Sequence, residues 1–373
     1  MPLWANGGLF HATICKLESA YGQSADFRWG GGLKIRHKLK QLEVAYEEII
    51  SPENLLLAWR EFLKGKRGKL DVQKFGRNLS DNIFELYSEL KNRTYRHGGY
   101  HAFNISDPKP RNIHKACVRD RLVHHAIYRQ LYPFFDRKFI HHSYSCRLGK
   151  GTHKAMKRFR DFGYKVSKNN TRTCWVLKCD IRKFFASVDH DVLLKILRRH
   201  VPNSKILWLL GEVIGSFSVS SGIGLPLGNL TSQLLVNIYM NEFDQFVKHK
   251  LKAIFYIRYA DDFVLLSDNR CKLEDRIPSI RDFLINRLKL TLHPNKIFVN
   301  TLSSGVDFLG WVHFPGHRVL RTTTKRRMIR KMVNNPSSET VASYLGLIKH
   351  GNTNKLKAKY FKSAKIDHSK IKQ

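Results

Sequence analysis

Acidic residues are scarce in this chain. Against 66 Lys and Arg stand 30 Asp and Glu in 373 residues, a formal charge of +36. Such an excess attracts polyanions, and nucleic acid is the commonest of these inside cells. Long apolar runs are also missing. None approaches the length of a membrane span, and no basic-then-apolar signal peptide, amphipathic anchor or lipidation signal is present. The expectation is a cytoplasmic chain with no membrane partner. The six cysteines (Cys15, Cys117, Cys146, Cys174, Cys179, Cys271) include no CxxC pair, which argues against a zinc module and a secreted disulfide framework. Eighteen histidines contain no HExxH pattern, and the pairs His124-His125 and His141-His142 read as surface residues. Gly149-Lys150-Gly151-Thr152 lacks both the upstream Gly and the Ser or Thr directly after Lys that a P-loop needs. An apolar content of 42% with 12% aromatics is ample for a packed core.

What is present is a cluster of carboxylates in apolar surroundings. Tyr259-Ala260-Asp261-Asp262 joins two apolar runs, Ile254–Ile257 and Phe263–Leu266, which read as the strands of a hairpin. Adjacent acids at a hairpin tip repel each other, and hard divalent cations such as Mg²⁺, which prefer oxygen ligands, relieve that cost. A third acid, Asp180, ends the strand-like run Val176–Ile181, and Asp189 is placed to cap a helix carrying Val192, Leu193, Ile196 and Leu197 on one face. Acids from separate strands holding two metals about 3.5–4 Å apart suit phosphoryl transfer. An acidic surface turn is the plain alternative for an isolated Asp-Asp pair.

Further motifs follow in order. Asp180-Ile181-x-x-x-Phe185, Gly224-Leu225-Pro226-Leu227-Gly228-Asn229-Leu230-Thr231-Ser232-Gln233 and Tyr259-Ala260-Asp261-Asp262 resemble the successive palm motifs of reverse transcriptases. His293-Pro294-Asn295-Lys296 is similar to the next palm motif, and Phe308-Leu309-Gly310-Trp311 to the primer grip. Lys109-Pro110-Arg111, Arg119-Asp120-Arg121 and Ser143-Tyr144-Ser145-Cys146-Arg147 resemble the fingers of the bacterial branch that includes group II intron enzymes. Leu227, where many relatives carry Gln, and Ser232-Gln233, where intron enzymes show Ser-Pro, look most like reverse transcriptases of diversity-generating retroelements. Some phage-defence reverse transcriptases have similar loops.

The resemblance implies an α+β right-hand fold. It would comprise an extension over residues 1–33, fingers over 34–170, a palm with an antiparallel sheet and primer grip over 171–314, and a thumb with a basic tail over 315–373. It implies two Mg²⁺ ions, with Mn²⁺ an acceptable substitute, held by Asp180, Ile181, Asp261 and Asp262. It also implies that Lys296 donates a proton to pyrophosphate, and that Lys109, Arg111, Arg119 and Arg121 grip the triphosphate. Phe185 would exclude a ribose 2′-OH, and Leu227 and Gly228 would face the nascent base pair. The implied partners are template RNA, nascent cDNA and dNTPs, with a structured noncoding RNA and a small accessory protein as further candidates. Three other readings stay open: a defence enzyme copying a noncoding RNA, an RNA-dependent RNA polymerase disfavoured by Phe185, and an RNA-binding scaffold disfavoured by the intact acids.

Overall fold

Ser51-Pro52 starts a helix. The computed structural model describes residues 41–106, 110–334 and 337–361. The N-terminal extension, Lys109, Pro336 and most of the basic tail lie outside the described residues. Helix α1 spans Tyr46–Ile50 and α2 Pro52–Phe62. Ser51 Oγ accepts a hydrogen bond from Asn54 N at 3.1 Å, and Pro52 sits in the first turn, where its missing N–H leaves no bond unmade. Leu55, Ala58, Trp59 and Phe62 are buried. Leu56 is 41% exposed; one residue beyond Leu55 lies about 100° round the helix, outside the apolar stripe.

Helices α3 (Leu70–Arg77) and α4 (Leu79–Asn92) follow, the latter burying Ile83, Leu86 and Leu90. Strands β1 (Tyr100–Ile105) and β2 (Arg111–Ala116) form an antiparallel hairpin with Tyr100 opposite Ala116. Helix α5 (Val118–Asp136) packs on α2, and α6 (Thr152–Val166) carries the chain towards the central sheet. One expectation fails here: His124 is buried, its ring 5.2 Å from that of His97. It shares a face of α5 with Ile127 and Leu131, and burial holds it neutral by pushing its pKa down to about 3.

The central sheet is built from β3 (Trp175–Asp180), β4 (Tyr256–Tyr259), β5 (Asp262–Ser267) and β6 (Phe298–Thr301). Their order is β4-β5-β3-β6, antiparallel throughout. Strand β4 starts later than its apolar run suggests, and Ile254 is 70% exposed. Helices α7 (His190–Arg198), α8 (Ser204–Gly215) and α9 (Leu230–Gln245) lie between β3 and β4, and α10 (Cys271–Glu274) and α11 (Arg276–Leu288) between β5 and β6. Asp189 caps α7 as expected, accepting from Val192 N at 2.9 Å. One continuous apolar cluster joins α1, α2, α4 and α5 to the inner face of α9 and to Leu177 and Cys179 of β3.

A second, three-stranded sheet follows: β7 (Val306–Phe308), β8 (Trp311–His313) and β9 (Arg318–Leu320). Helices α12 (Thr322–Asn334), α13 (Ser338–Ile348) and α14 (Asn354–Phe361) end the described chain. The cap of α13 is Ser337, which accepts from Thr340 N at 3.3 Å. Val341, Tyr344 and Ile348 pack with Met328, Trp311 and Met156 of α6, so one apolar cluster ties the C-terminal helices to the body of the protein. No helix among the described residues is long and apolar enough to cross a membrane.

Candidate active site

The β4–β5 hairpin turns in two residues. Tyr259 pairs with Asp262, leaving Ala260 and Asp261 at the tip. Ala260 has φ +55°, at the position where a two-residue hairpin turn commonly carries glycine. An alanine held there stores backbone strain, which surrounding structure must over-determine. On the other side of β5, Asp262 stands directly opposite Asp180 of β3. Opposed residues in an antiparallel pair project from the same face with Cβ atoms about 4.5–5.5 Å apart. Register thus brings together two acids 82 positions apart, and the turn adds Asp261 beside them.

Two lysines answer this charge. Lys296 Nζ donates to Asp180 Oδ1 at 2.9 Å, and Lys178 Nζ lies 3.8 Å from Asp262 Oδ1. Lys296 arrives from a short 3₁₀ turn, Pro294–Lys296, anchored because His293 N donates to Asp180 O at 2.8 Å. Ile181 is buried and its backbone bridges to Leu292. Among the described residues no three His, Cys, Asp or Glu side chains are gathered as a preformed metal cage. The carboxylates nonetheless sense one another. Burial, then Asp262 and Asp180, push the Asp261 pKa up to about 6. Oxygen donors crowded until one resists ionising fit hard divalent cations.

That shift has a sign. A carboxyl whose folded pKa is raised binds its proton more tightly folded than unfolded, so stability falls as pH rises between about 4 and 6. With solvent screening discounted, the cost is on the order of 1–2 kcal/mol. In EDTA at pH 7.5, Asp261→Asn is therefore expected to melt about 2–4 °C above the parent, with the gain gone at pH 4. Identical melting curves at both pH values would remove the repulsion.

A buried guanidinium, absent from the sequence reading, holds the turn from below. Arg258 and Asp244 are both fully buried. Arg258 Nε and Nη2 donate to the two Asp244 oxygens at 2.8 and 2.7 Å, while Nη2 also donates to Ser143 Oγ at 3.0 Å. Nη1 donates to Asn237 Oδ1 at 3.3 Å and to Ala260 O at 3.1 Å. Tyr256 Oη donates to Asp244 Oδ1 at 2.7 Å. The strained alanine of the acid turn is thereby tied to α9 and to the Ser143 loop. The available sequence signal was a single charge in the apolar run Ile257-Arg258-Tyr259.

The glycine loop is brought alongside. From Asp180 the chain passes Lys183, in the left-handed region at φ +44°, into a 3₁₀ turn over Phe184–Ser187. Phe184 points into the core and Phe185 is half-buried at its edge. Leu225 N donates to Phe185 O at 2.7 Å, and Gly224 N to Val188 O at 2.8 Å. Past Leu227 the loop meets β2: His114 N donates to Leu227 O at 3.0 Å, and Asn229 Nδ2 to His114 O at 2.9 Å. Gly228, at φ +107°, must be glycine here, because a Cβ would stand 2.8 Å from Ile113 Cγ2.

The basic candidates divide. Arg111 is exposed on β2, three residues from the His114 contact, and Lys109 lies outside the described residues. Arg121 Nη2 is paired with Asp71 at 2.8 Å and its guanidinium lies over the Phe62 ring. Arg119 is paired with Glu89 and lies over Tyr95. Both are therefore engaged in holding the helices together.

Phe308 and Trp311 are opposite each other in the β7–β8 hairpin and both are buried. Leu309 and Gly310 form its tip with φ +53° and +85°, the signature of a type I′ turn. The two buried aromatic side chains fix the hairpin. Trp311 presses so closely on Gly351 that a Cβ there would lie 2.0 Å from its ring. Leu309 and Tyr259 pack on one apolar cluster, which places the hairpin tip and the acid turn on a common support.

Residues 106–313, more than half of the chain, match the family described as "Reverse transcriptase (RNA-dependent DNA polymerase)". The chain is 27% identical over 262 residues to Protein YkfC of Escherichia coli (strain K12), covering 59% of this chain and 66% of that protein. It is 22% identical over 374 residues to the group II intron-encoded protein LtrA of Lactococcus lactis subsp. cremoris, covering 79% and 60%. The chain thus spans under two thirds of the length of these curated relatives. Among solved structures, telomerase from Candida albicans in complex with a TWJ fragment of telomeric RNA aligns with a TM-score of 0.47 at 12% identity, over 66% of this chain and 50% of that one.

Proposed function

Because this chain belongs to the reverse transcriptase family, we propose that it copies an RNA template into cDNA by nucleotidyl transfer at Asp180, Asp261 and Asp262. The observation that carries this reading is the opposition of Asp180 and Asp262 across β3–β5 with Asp261 at the adjoining turn. Two divalent ions, Mg²⁺ or in its place Mn²⁺, would be held by these acids with the Ile181 backbone and would supply Lewis acidity for the attacking 3′-hydroxyl and charge neutralisation for the departing phosphates. The α-phosphate exchanges its bond to pyrophosphate for one to the primer oxygen, whose hydroxyl proton is released to solvent. Lys296, now on Asp180, is the group within the site that can pass a proton to the leaving pyrophosphate. In this reading Arg111, exposed on β2, takes the triphosphate and the Leu309–Gly310 tip takes the primer strand. Template RNA, cDNA and dNTPs are the partners this reading requires. Primer extension on an RNA template tests it: the purified chain should extend with dNTPs and not with NTPs, and the reverse preference would make it an RNA polymerase.

Phe185 supports deoxynucleotide choice, since its ring stands half-buried beside the loop that ends in Gly228. Phe185→Val should raise rNTP incorporation relative to dNTP by about tenfold or more, equivalent to at least about 1.4 kcal/mol of lost discrimination. An unchanged ratio would make Phe185 a packing residue.

We further infer a role in error-prone copying within a diversity-generating element, resting on Leu227. An apolar side chain at this loop cannot hydrogen-bond an incoming nucleotide, a contact worth about 0.5–1.5 kcal/mol. Leu227→Gln should therefore lower misincorporation several-fold, most of all opposite template adenine. Sequenced cDNA decides this, and an already accurate parent would end the idea.

A further inference from the structure

A cavity of about 240 Å³ opens where α6, the β8–β9 turn and the segment after α13 meet, and among the described residues no acid lines it. Two guanidinium groups, Arg160 and Arg318, face it together with His313, His317 and His350. Phe314 lies against His317 with ring centres 4.9 Å apart and planes 11° from parallel. The cavity is at the opposite end of β8 from the Leu309–Gly310 tip.

Arg318 is held without being neutralised. Its Nε donates to His350 O, its guanidinium lies 5.6 Å over Trp311, and Asn352 N donates to its carbonyl at 2.8 Å. Burial, then Arg160, push its pKa down. Arg160 projects into solvent with its side chain 64% exposed, and its acidic neighbour Asp161 stands at 4.0 Å, outside the cavity wall. His313 is neutral at pH 7, lowered to about 4 mainly by burial, and bonds to Phe308 O at 3.2 Å. Two cations crowded around a hollow repel, and an anion between them turns that repulsion into attraction through charge-assisted hydrogen bonds.

The surroundings suit a strand better than a free nucleotide. Along α6, His153, Lys157, Arg160 and Tyr164 are all exposed at successive three- and four-residue steps, a cationic and aromatic row about 16 Å long. Stacking platforms interleaved with positive charge are how single strands are held without sequence preference.

We propose that this cavity is a second nucleic-acid site, taking one nucleotide of a single-stranded RNA with its phosphate between Arg160 and Arg318 and its base on the exposed His317 face. The proposal does not depend on polymerisation, since the cavity binds RNA or fails to whether or not the acids are active. The test saturates the full chain with a hairpin template–primer, then titrates a labelled 12-nucleotide poly(U) RNA by fluorescence anisotropy. The parent should show a second binding event. Arg160→Glu, a change at an exposed side chain, should weaken it at least tenfold, and His317→Ala several-fold, with affinity for the hairpin within twofold of the parent. No second event, an Arg160→Glu variant that still binds like the parent, or equal weakening towards hairpin and poly(U) would each overturn the proposal. UMP and inorganic phosphate serve as competitors: displacement by UMP at the concentration effective for the oligonucleotide would assign the site to a free nucleotide and overturn the RNA assignment.

Discussion

Asp261→Ala is expected to reduce cDNA synthesis at least about 10³-fold while template–primer binding stays within a few-fold of the parent. The carboxylate lies beside both Asp262 and Asp180, close enough for their charge to raise its own pKa. Removing it withdraws a unit of negative charge from the place where divalent cations are to be held. A loss of about 4 kcal/mol in transition-state stabilisation corresponds to that factor. Affinity for a polyanion is expected to rest on the chain's excess of 66 Lys and Arg over 30 Asp and Glu rather than on this one acid, so binding and chemistry should separate. Synthesis within tenfold of the parent would remove Asp261 from the chemistry.

The second large effect is expected at a residue that touches no substrate. Arg258→Met should destabilise the protein by about 3–5 kcal/mol, because it leaves the Asp244 carboxylate buried without its cation. Among the described residues Tyr256 would still donate to that carboxylate by its hydroxyl. Replacing both partners, Arg258→Met with Asp244→Leu, should recover much of the loss, since no uncompensated charge then remains. Urea unfolding of the two single variants and the double variant measures the coupling. Additive losses would show that the pair is not a unit. Activity of the double variant is informative in its own right, because Ala260 loses the hydrogen bond that reaches its carbonyl. A stable but slow enzyme would assign Arg258 the positioning of the acid turn.

How much of this was legible beforehand varies by residue. The strand ending in Asp180, the cap at Asp189 and the hairpin around Ala260-Asp261 all follow from local pattern, and the structure contains each. Local pattern also misled. Leu56 and Ile254 are apolar and exposed, and His124 is polar and buried. In each case the face a neighbour covers, rather than the residue's own polarity, decided the outcome. Lys296 was read as a proton donor from a motif, and the structure adds its present partner, Asp180. Arg119 and Arg121 were read as phosphate ligands, and the structure finds them paired with Glu89 and Asp71. Nothing in their sequence neighbourhood names acids 30 and 50 positions away.

By itself the sequence determined the chemistry on offer: a heavily basic chain, three acids in strand contexts, a glycine-rich loop and an ordered set of palm motifs. Those are properties of composition and short-range spacing, which a linear chain displays directly. Tertiary structure alone decided which of these groups meet. Antiparallel register put Asp262 opposite Asp180, a buried arginine tied the strained turn to α9, and the packing of the C-terminal helices on Trp311 closed a cationic cavity behind the second sheet. Each of those contacts joins residues far apart in the chain. Their energy comes from burial and charge pairing that exist only once the chain has folded.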